Sequence, residues 1–298
     1  MLDPETFRAI LEILPHGVYV VDRERRLLFW NEGAEKITGY RSQEVIGRCC
    51  QDDLLMHCDT HGRVLCGSGC PLLATMHDGK PREAELLLRH RDGERVPVRV
   101  IAKALRDAHG AIVGAVESFD EPYPRVEADG LQVANPGPGE DQLTGLLLRH
   151  GVEMHLAGAV EDFNSENIPC AVFSMEIDRL DQFQHSYGVL ASEALIRSAA
   201  HTIARNLPLG GRAGRFAPER FVAVLRGCPE SDAAEAAEQL RQMVGCAAIS
   251  WWGDRLSSTL SVGVTWARTG DDAESLLSRS EDALQRCLQK GGDRVILA

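Results

Sequence analysis

Residues 121–140 set the strongest limit on what this chain can become. Pro122, Pro124, Gly130, Pro136, Gly137, Pro138 and Gly139 all fall within them. Proline lacks a backbone N–H and its ring clashes with the preceding helical turn, so no continuous helix crosses this stretch. The chain therefore reads as two folded pieces, 1–120 and 141–298, joined by a Pro/Gly-rich linker. The length agrees: 298 residues, at roughly 150 per domain, give two domains.

Charge narrows the class. The 32 basic against 44 acidic residues leave a net charge of −12. That balance argues against a partner bound through nucleic-acid phosphates. A hydrophobic fraction of 44% can fill two cores and excludes wholesale disorder. No apolar run reaches the roughly 18 residues of a membrane helix. Residues 1–14 carry Asp3, Glu5, Arg8 and Glu12, unlike a signal peptide. A cytoplasmic protein without membrane or nucleic-acid partners is the expectation.

In the first piece, residues 18–22 and 27–31 read as paired strands around a charged turn. Short helical segments follow at 34–38 and 42–46, punctuated by Gly39 and Gly47. Residues 84–90, 96–104 and 111–119 read as three further strands, joined through Arg91-Asp92-Gly93-Glu94 and Asp107-Ala108-His109-Gly110. The result is a five-stranded antiparallel sheet with flanking helices. This order resembles the PAS sensor family, as do Ile13-Leu14-Pro15-His16-Gly17-Val18, the segment from Asn31 through Gly39-Tyr40, and Glu44-Val45-Ile46-Gly47. His90-Arg91-Asp92-Gly93 and Gly110-Ala111-Ile112-Val113-Gly114-Ala115 match its closing hairpins. PAS ligands vary widely, so the fold alone does not give the signal.

Five of the nine cysteines lie in an insert at 49–70: Cys49, Cys50, Cys58, Cys66 and Cys70. Cys170, Cys228, Cys246 and Cys287 are scattered among apolar neighbours and read as small buried hydrophobes. Thiols stay reduced in a cytoplasmic chain, so the cluster points to metal or redox chemistry. Thiolate and imidazole suit zinc or an iron–sulfur cluster. The insert resembles that of a subgroup of PAS sensors. Its features fall on Cys50, His57, Cys66 and Cys70, which are the expected metal ligands, with Cys58 as substitute for His57. Reversible thiol oxidation and a set of plain reduced thiols remain the alternatives.

From residue 141 the texture becomes α/β. Residues 171–177 read as a strand, 191–207 as a helix with Leu195, Ala199 and Ile203 in phase, and 212–216 with 221–225 as a hairpin. A helix at 231–244, a strand at 257–265 and a helix at 273–289 follow. The whole chain is thus of the α+β class, a PAS-type antiparallel sheet followed by an α/β domain with a central sheet surrounded by helices.

Asp141-Gln142-Leu143-Thr144-Gly145-Leu146, Glu176-Ile177-Asp178, Tyr187-Gly188 and Ser261-Val262-Gly263-Val264 occur in the order of the GGDEF, or diguanylate cyclase, family and resemble its motifs. The family joins two GTP into cyclic di-GMP, using Mg²⁺ at each site of a face-to-face pair. Against its name-giving motif this chain carries Ala217, Pro218, Glu219, Arg220 and Phe221. Ala217 and Pro218 replace glycines that let backbone approach the nucleotide, and Pro218 also removes an N–H. Arg220 reverses a charge. Glu176 and Glu219 stand at the metal positions, and Gln184 and Glu193 at the guanine-reading positions, Glu176, Gln184 and Glu193 each one methylene longer than usual. Leu288 and Gly292 replace the phosphate-binding cations, unless a two-residue shift brings in Lys290 and Arg294. The product-inhibition motif is absent at Pro208 and Gly211.

These departures predict a GGDEF-like domain that does not turn over GTP. The resemblance then implies a signalling relay. The PAS domain reads a redox or metal-linked signal, and the second domain passes it on by protein contact or by holding nucleotide with Mg²⁺. Expected partners are another GGDEF or phosphodiesterase protein, or a second copy through the PAS domain. The alternative is an active cyclase with an unusual signature.

Overall fold

The computed structural model describes residues 3–52, 54–121 and 137–298. The chain divides into two compact units, Met1–Arg125 and Val126–Ala298. Most of the expected linker, residues 122–136, lies outside the described residues.

The first unit opens with helix α1 (Pro4–Glu12), N-capped by Asp3. Strands β1 (Gly17–Asp22) and β2 (Leu27–Trp30) form a hairpin, followed by α2 (Glu32–Thr38) and α3 (Ser42–Val45). After the insert come α4 (Pro71–Asp78) and strands β3 (Arg82–Arg89), β4 (Arg95–Arg106) and β5 (Ile112–Asp120). The five strands pair antiparallel in the order β2-β1-β5-β4-β3. One face carries the core: Tyr19, Val21, Trp30, Leu86, Leu88, Val98, Val100, Ala115 and Phe119 pack with Cys50, Leu54, Leu55, Cys70 and Leu72. The insert is thus core as well as surface. Its course is fixed by backbone bonds that Cys58 exchanges with Leu87 at 2.9 Å each way.

Asn31 is the chief polar lock of this unit. Its Oδ1 accepts from the backbone N–H groups of Val18 (2.8 Å) and Ala34 (2.9 Å), and its Nδ2 donates to the carbonyls of Leu11 (2.9 Å) and His16 (3.0 Å). One side chain therefore caps α2 and ties the entry loop to β1.

The second unit begins with a turn in which Gly137 donates to Glu140, so the last residues of the expected linker belong to ordered structure. Strand β6 (Leu147–Leu148), α5 (Arg149–Glu166), β7 (Cys170–Ile177), α6 (Leu180–Tyr187) and α7 (Val189–Asn206) follow. Then come the hairpin β8 (Gly211–Arg215) and β9 (Arg220–Arg226), α8 (Glu230–Cys246), and the small hairpin β10 (Ile249–Trp251) and β11 (Asp254–Leu256). Strand β12 (Leu260–Trp266), α9 (Ala273–Gln289) and β13 (Val295–Leu297) close the unit. The main sheet runs β13-β12-β7-β9-β8-β6. Its outer pairs β12–β13 and β6–β8 are parallel, and the other three pairs are antiparallel.

Central β7 is buried on both faces, as its run of apolar residues requires. Phe173, Met175 and Ile177 join the core built with α7 and α8, while Val172 joins that under α5. Helix α9 lies so close to β12 that a Cβ on Gly263 would meet its backbone at 2.3 Å. Among the described residues, no helix is long and apolar enough to cross a membrane.

Candidate functional site

The sheet register builds the second unit's site. Glu176, at the end of β7, lies directly opposite Arg220 on β9 and Ser261 on β12. Arg220 Nε donates to Glu176 Oε2 at 2.5 Å. Glu176 is mostly buried here and Arg220 about two-fifths exposed, with side chains at 16% and 39% of full exposure. A guanidinium therefore neutralises the carboxylate that the resemblance assigns to a metal ion.

The connecting turn explains why the hairpin survives without glycines. Arg220 N–H donates to the Ala217 carbonyl at 3.2 Å, which places Pro218 at the second position of a four-residue turn. Proline suits that position. No residue of the turn has a positive φ, so the glycine-demanding type II form is not used. Arg215 clamps the turn by donating from Nε (3.3 Å) and Nη2 (2.9 Å) to the Pro218 carbonyl. Its Nη1 reaches Asp141 at 3.1 Å, and Asp141 also accepts from the Thr144 N–H and hydroxyl. The opening motif and the signature turn are thus one hydrogen-bonded unit. Pro218 offers no N–H to a phosphate.

Asp178, two residues after Glu176, is held inside the fold. It is buried at 7% exposure. Its carboxylate accepts from Thr259 Oγ1 (2.5 Å), Ser261 Oγ (2.6 Å) and the Asp293 N–H (2.9 Å). Gly292 has φ +80° and its absent side chain leaves room for this carboxylate, since a Cβ would meet Asp178 Oδ1 at 2.6 Å. Gly292 therefore closes a structural knot and supplies no cation. Leu288 supplies none either. Lys290 is exposed beyond α9, and Arg294 Nε is turned onto the Gly292 carbonyl at 2.9 Å.

Gln184 is exposed on α6 and Glu193 is half-buried on α7, on helices that meet at Gly188. Glu219 is half-buried, and its carbonyl accepts from Ile177 N–H at 3.0 Å. Among the described residues, no group of three or more His, Cys, Asp or Glu side chains is set to hold a metal ion. With Glu176 paired to Arg220, the residues present do not fit the Mg²⁺ expected on Glu176 and Glu219.

The first unit brings its expected ligands to one region without closing them into a shell. Cys50 and Cys70 are buried, at 8% and 6% exposure, and Cys66 is half-buried. Burial first, then the neighbouring Cys70 and Cys49, pushes the Cys50 thiol well up. Burial likewise raises Cys66 and Cys70, each feeling Glu117 as well. Cys58, the substitute for His57 in that set, is fully buried, and its backbone pairs with Leu87 of β3. The four-residue set Cys50, His57, Cys66 and Cys70 is therefore not assembled as expected. Its physical reason is the loop path, which lays His57 against β5 and leaves Cys66 near the surface.

What His57 meets on β5 is Glu117, which the sequence reading missed. His57 Nε2 lies 3.9 Å from Glu117 Oε1, and both side chains are almost wholly buried. Tyr19 donates its hydroxyl to the same Glu117 oxygen at 2.8 Å. His57 Nε2 and Glu117 Oε2 have no hydrogen-bond partner. Burial pushes the Glu117 carboxyl up to about 7, against the pull of the Tyr19 bond. Burial and the Arg95 guanidinium bring His57 down to about 4, so the ring is neutral. The missed signal was in the alternation of β5: Ala115, Glu117 and Phe119 share the inward face, and an acid there is anomalous.

Comparison with known proteins agrees with both halves. The diguanylate cyclase GGDEF domain matches residues 139–294, and a PAS domain matches 15–120. An uncharacterized signaling protein of Caulobacter vibrioides is 27% identical over 207 residues, covering 67% of this chain and 25% of that protein. Diguanylate cyclase DgcP of Pseudomonas aeruginosa is 25% identical over 158 residues, covering 53% of this chain and 24% of that protein. The chain thus spans about a quarter of the length of these relatives. The structure of diguanylate cyclase SiaD in complex with its activator SiaC, also from Pseudomonas aeruginosa, superposes with a TM-score of 0.53 at 24% identity. It covers 55% of this chain and 63% of that one, and shares the fold.

Proposed function

This chain belongs to the diguanylate cyclase GGDEF-domain family, with a PAS domain ahead of that domain, and we propose that it is a signalling protein whose GGDEF domain does not make cyclic di-GMP. The observation that carries this reading is the Arg220–Glu176 pair beneath the Pro218 turn. Phosphoryl transfer depends on metal ions that neutralise developing charge and on donors preorganised around phosphates. Here a side-chain cation pairs with the carboxylate at one metal position, proline removes a backbone donor, and Leu288 and Gly292 stand where phosphate-binding cations are expected.

A domain built this way acts through what it binds. Its output is contact with a signalling partner, or nucleotide held at Gln184, Glu193 and Glu219 without turnover. A fold relative in complex with an activator protein supports the partner route in general terms. The PAS domain supplies the input, a redox or metal-linked signal received at the Cys-rich insert. The buried thiols beside Glu117 support that assignment.

The test is incubation of the full chain with GTP and Mg²⁺, with Glu219→Ala as control. The reading expects no cyclic di-GMP above the control. Product that disappears in Glu219→Ala would establish an active cyclase with an unusual signature instead. Calorimetry with GTP and with cyclic di-GMP separates the two outputs, since heat without turnover marks a nucleotide receiver.

A further inference from the structure

We propose that the GGDEF domain takes its nucleotide free of divalent cation, with the Arg220 guanidinium standing in for a metal ion against the phosphates. This rests on the reading that the domain holds nucleotide without turnover, and it names the ionic form that is held.

The Arg220–Glu176 pair carries the inference because it leaves most of the guanidinium unused. Arginine presents its N–H donors in a rigid planar fork. Arg220 commits Nε to Glu176 Oε2 at 2.5 Å. Among the described residues, its two terminal nitrogens have no acceptor. The side chain is 39% exposed, so these donors remain for a ligand. Parallel N–H bonds from one edge of such a fork match the oxygens of a phosphate. Glu176 holds the guanidinium in place beforehand, which preorganises those donors.

Metal ions serve a nucleotide by cancelling phosphate charge beside protein carboxylates. Arg220 does the same chemically: it neutralises a carboxylate through Nε and offers cationic donors with the rest of the fork. A divalent ion brought here would meet the guanidinium charge and compete for a Glu176 oxygen already engaged. Asp178, the next acid of the strand end, already accepts three hydrogen bonds within the fold. A metal-free phosphate meets neither obstacle.

The chain beyond Glu176 continues in the same sense. Ile177 N–H donates to the Glu219 carbonyl at 3.0 Å, which keeps the signature turn beside the end of β7. Arg179 follows, exposed, and its side chain has no partner among the described residues. Its backbone is left-handed, with φ +55°. That conformation costs free energy in any residue but glycine and recurs at ligand sites. Helix α6 starts directly after it without a side-chain cap, so its first N–H groups have no acceptor within the helix. Arg215, by contrast, is committed to Asp141 and to the Pro218 carbonyl. Arg220 and Arg179 therefore have donors to spare at this strand end.

The test is equilibrium dialysis of the full chain against GTP, once in EDTA and once in excess Mg²⁺, with cyclic di-GMP measured in the Mg²⁺ samples. The expected result is one GTP per chain in EDTA, bound no more weakly than in Mg²⁺. Arg220→Ala should weaken binding in EDTA by at least about 10-fold, as loss of a hydrogen bond to a charged group does. What binding remains in that variant should be tighter with Mg²⁺ than without it. A merely structural role for Arg220 would lower affinity alike in both conditions. Arg179→Ala should weaken binding in EDTA by about threefold or more, and it carries the comparison if Arg220→Ala does not fold. GTP held only with Mg²⁺ and not converted would overturn the inference and leave the non-catalytic reading in place. Affinities in EDTA unchanged by both variants would overturn it in the same way. No binding in either condition would overturn it and leave contact with a partner protein as the output. Cyclic di-GMP in the Mg²⁺ samples, absent with Glu219→Ala, would overturn both.

Discussion

Replacing Arg220 by alanine should reopen the carboxylate of Glu176 to hard divalent cations. Arg220 Nε sits 2.5 Å from Glu176 Oε2, so an ion bound to that carboxylate would lie roughly 5 Å from the guanidinium charge. At that distance a unit charge opposes a doubly charged ion by about 1.7 kcal/mol even with the screening of water, a factor of roughly 17 in affinity. Water is the fitting medium because the Arg220 side chain is 39% exposed. Loss of the competing hydrogen bond adds to this, so a gain of at least about 10-fold in Mn²⁺ affinity is expected for Arg220→Ala. The fold should survive, since a partly exposed ion pair contributes no more than about 1 kcal/mol. Titration of the full chain with Mn²⁺, followed by the electron paramagnetic resonance of the free ion, gives both affinities directly. Hard Mn²⁺ prefers oxygen ligands, so the thiol-rich insert is a weak competitor. If Arg220→Ala binds Mn²⁺ within twofold of the unsubstituted chain, the guanidinium is not what keeps the site from metal.

Three further outcomes follow from the hydrogen-bond geometry. Asp178→Ala removes three short bonds accepted by a buried carboxylate and should cost about 3–5 kcal/mol, whereas Asp178→Asn, which can turn its amide to satisfy the backbone donor, should cost about 1–2; calorimetry should show the later domain's transition moving and the PAS transition staying. Asn31→Ala should do the reverse, lowering the PAS transition by about 2–4 kcal/mol through its lost cap and stranded carbonyls. Asp271 is held below the usual carboxylate range chiefly by its two 2.7 Å bonds from Arg279. A depressed carboxyl stabilises the fold above its unfolded pKa and loses that contribution as pH falls through its lower folded value. Asp271→Asn should therefore destabilise by about 1–2 kcal/mol at pH 7, and urea titrations of variant and parent should converge in strong acid.

The strands of both units were legible because their alternation and turn signals are local. The hairpin β8–β9 falls almost where residues 212–216 and 221–225 were expected, and α9 runs over the expected 273–289. Helix α5 was missed because its apolar face is thin: only Val152, Leu156, Ala159 and Val160 are buried over eighteen residues. The short pairs β10–β11 and β12–β13 depend on contacts across the chain that no local pattern carries. The same divide runs through the sites. Charge reversal at Arg220 was readable, but its bond to Glu176 follows from the register of β7 against β9. The burial of Asp178 was not legible because its donors lie more than eighty residues away, on Thr259, Ser261 and Asp293. In the insert, cysteine density marked a stretch whose Cys50 and Cys70 the fold packs into the core of the first unit. Glu117, which the fold sets beside it, came from a different strand.

The central claim is that the GGDEF domain of this chain signals without catalysis. The most direct measurement is chromatographic detection of cyclic di-GMP after long incubation of the full chain with millimolar GTP and Mg²⁺, beside its Glu219→Ala variant. The structure leads us to expect no product in either sample. Cyclic di-GMP formed by the unsubstituted chain and not by Glu219→Ala would contradict the account, and would mean that Arg220 leaves Glu176 when substrate binds.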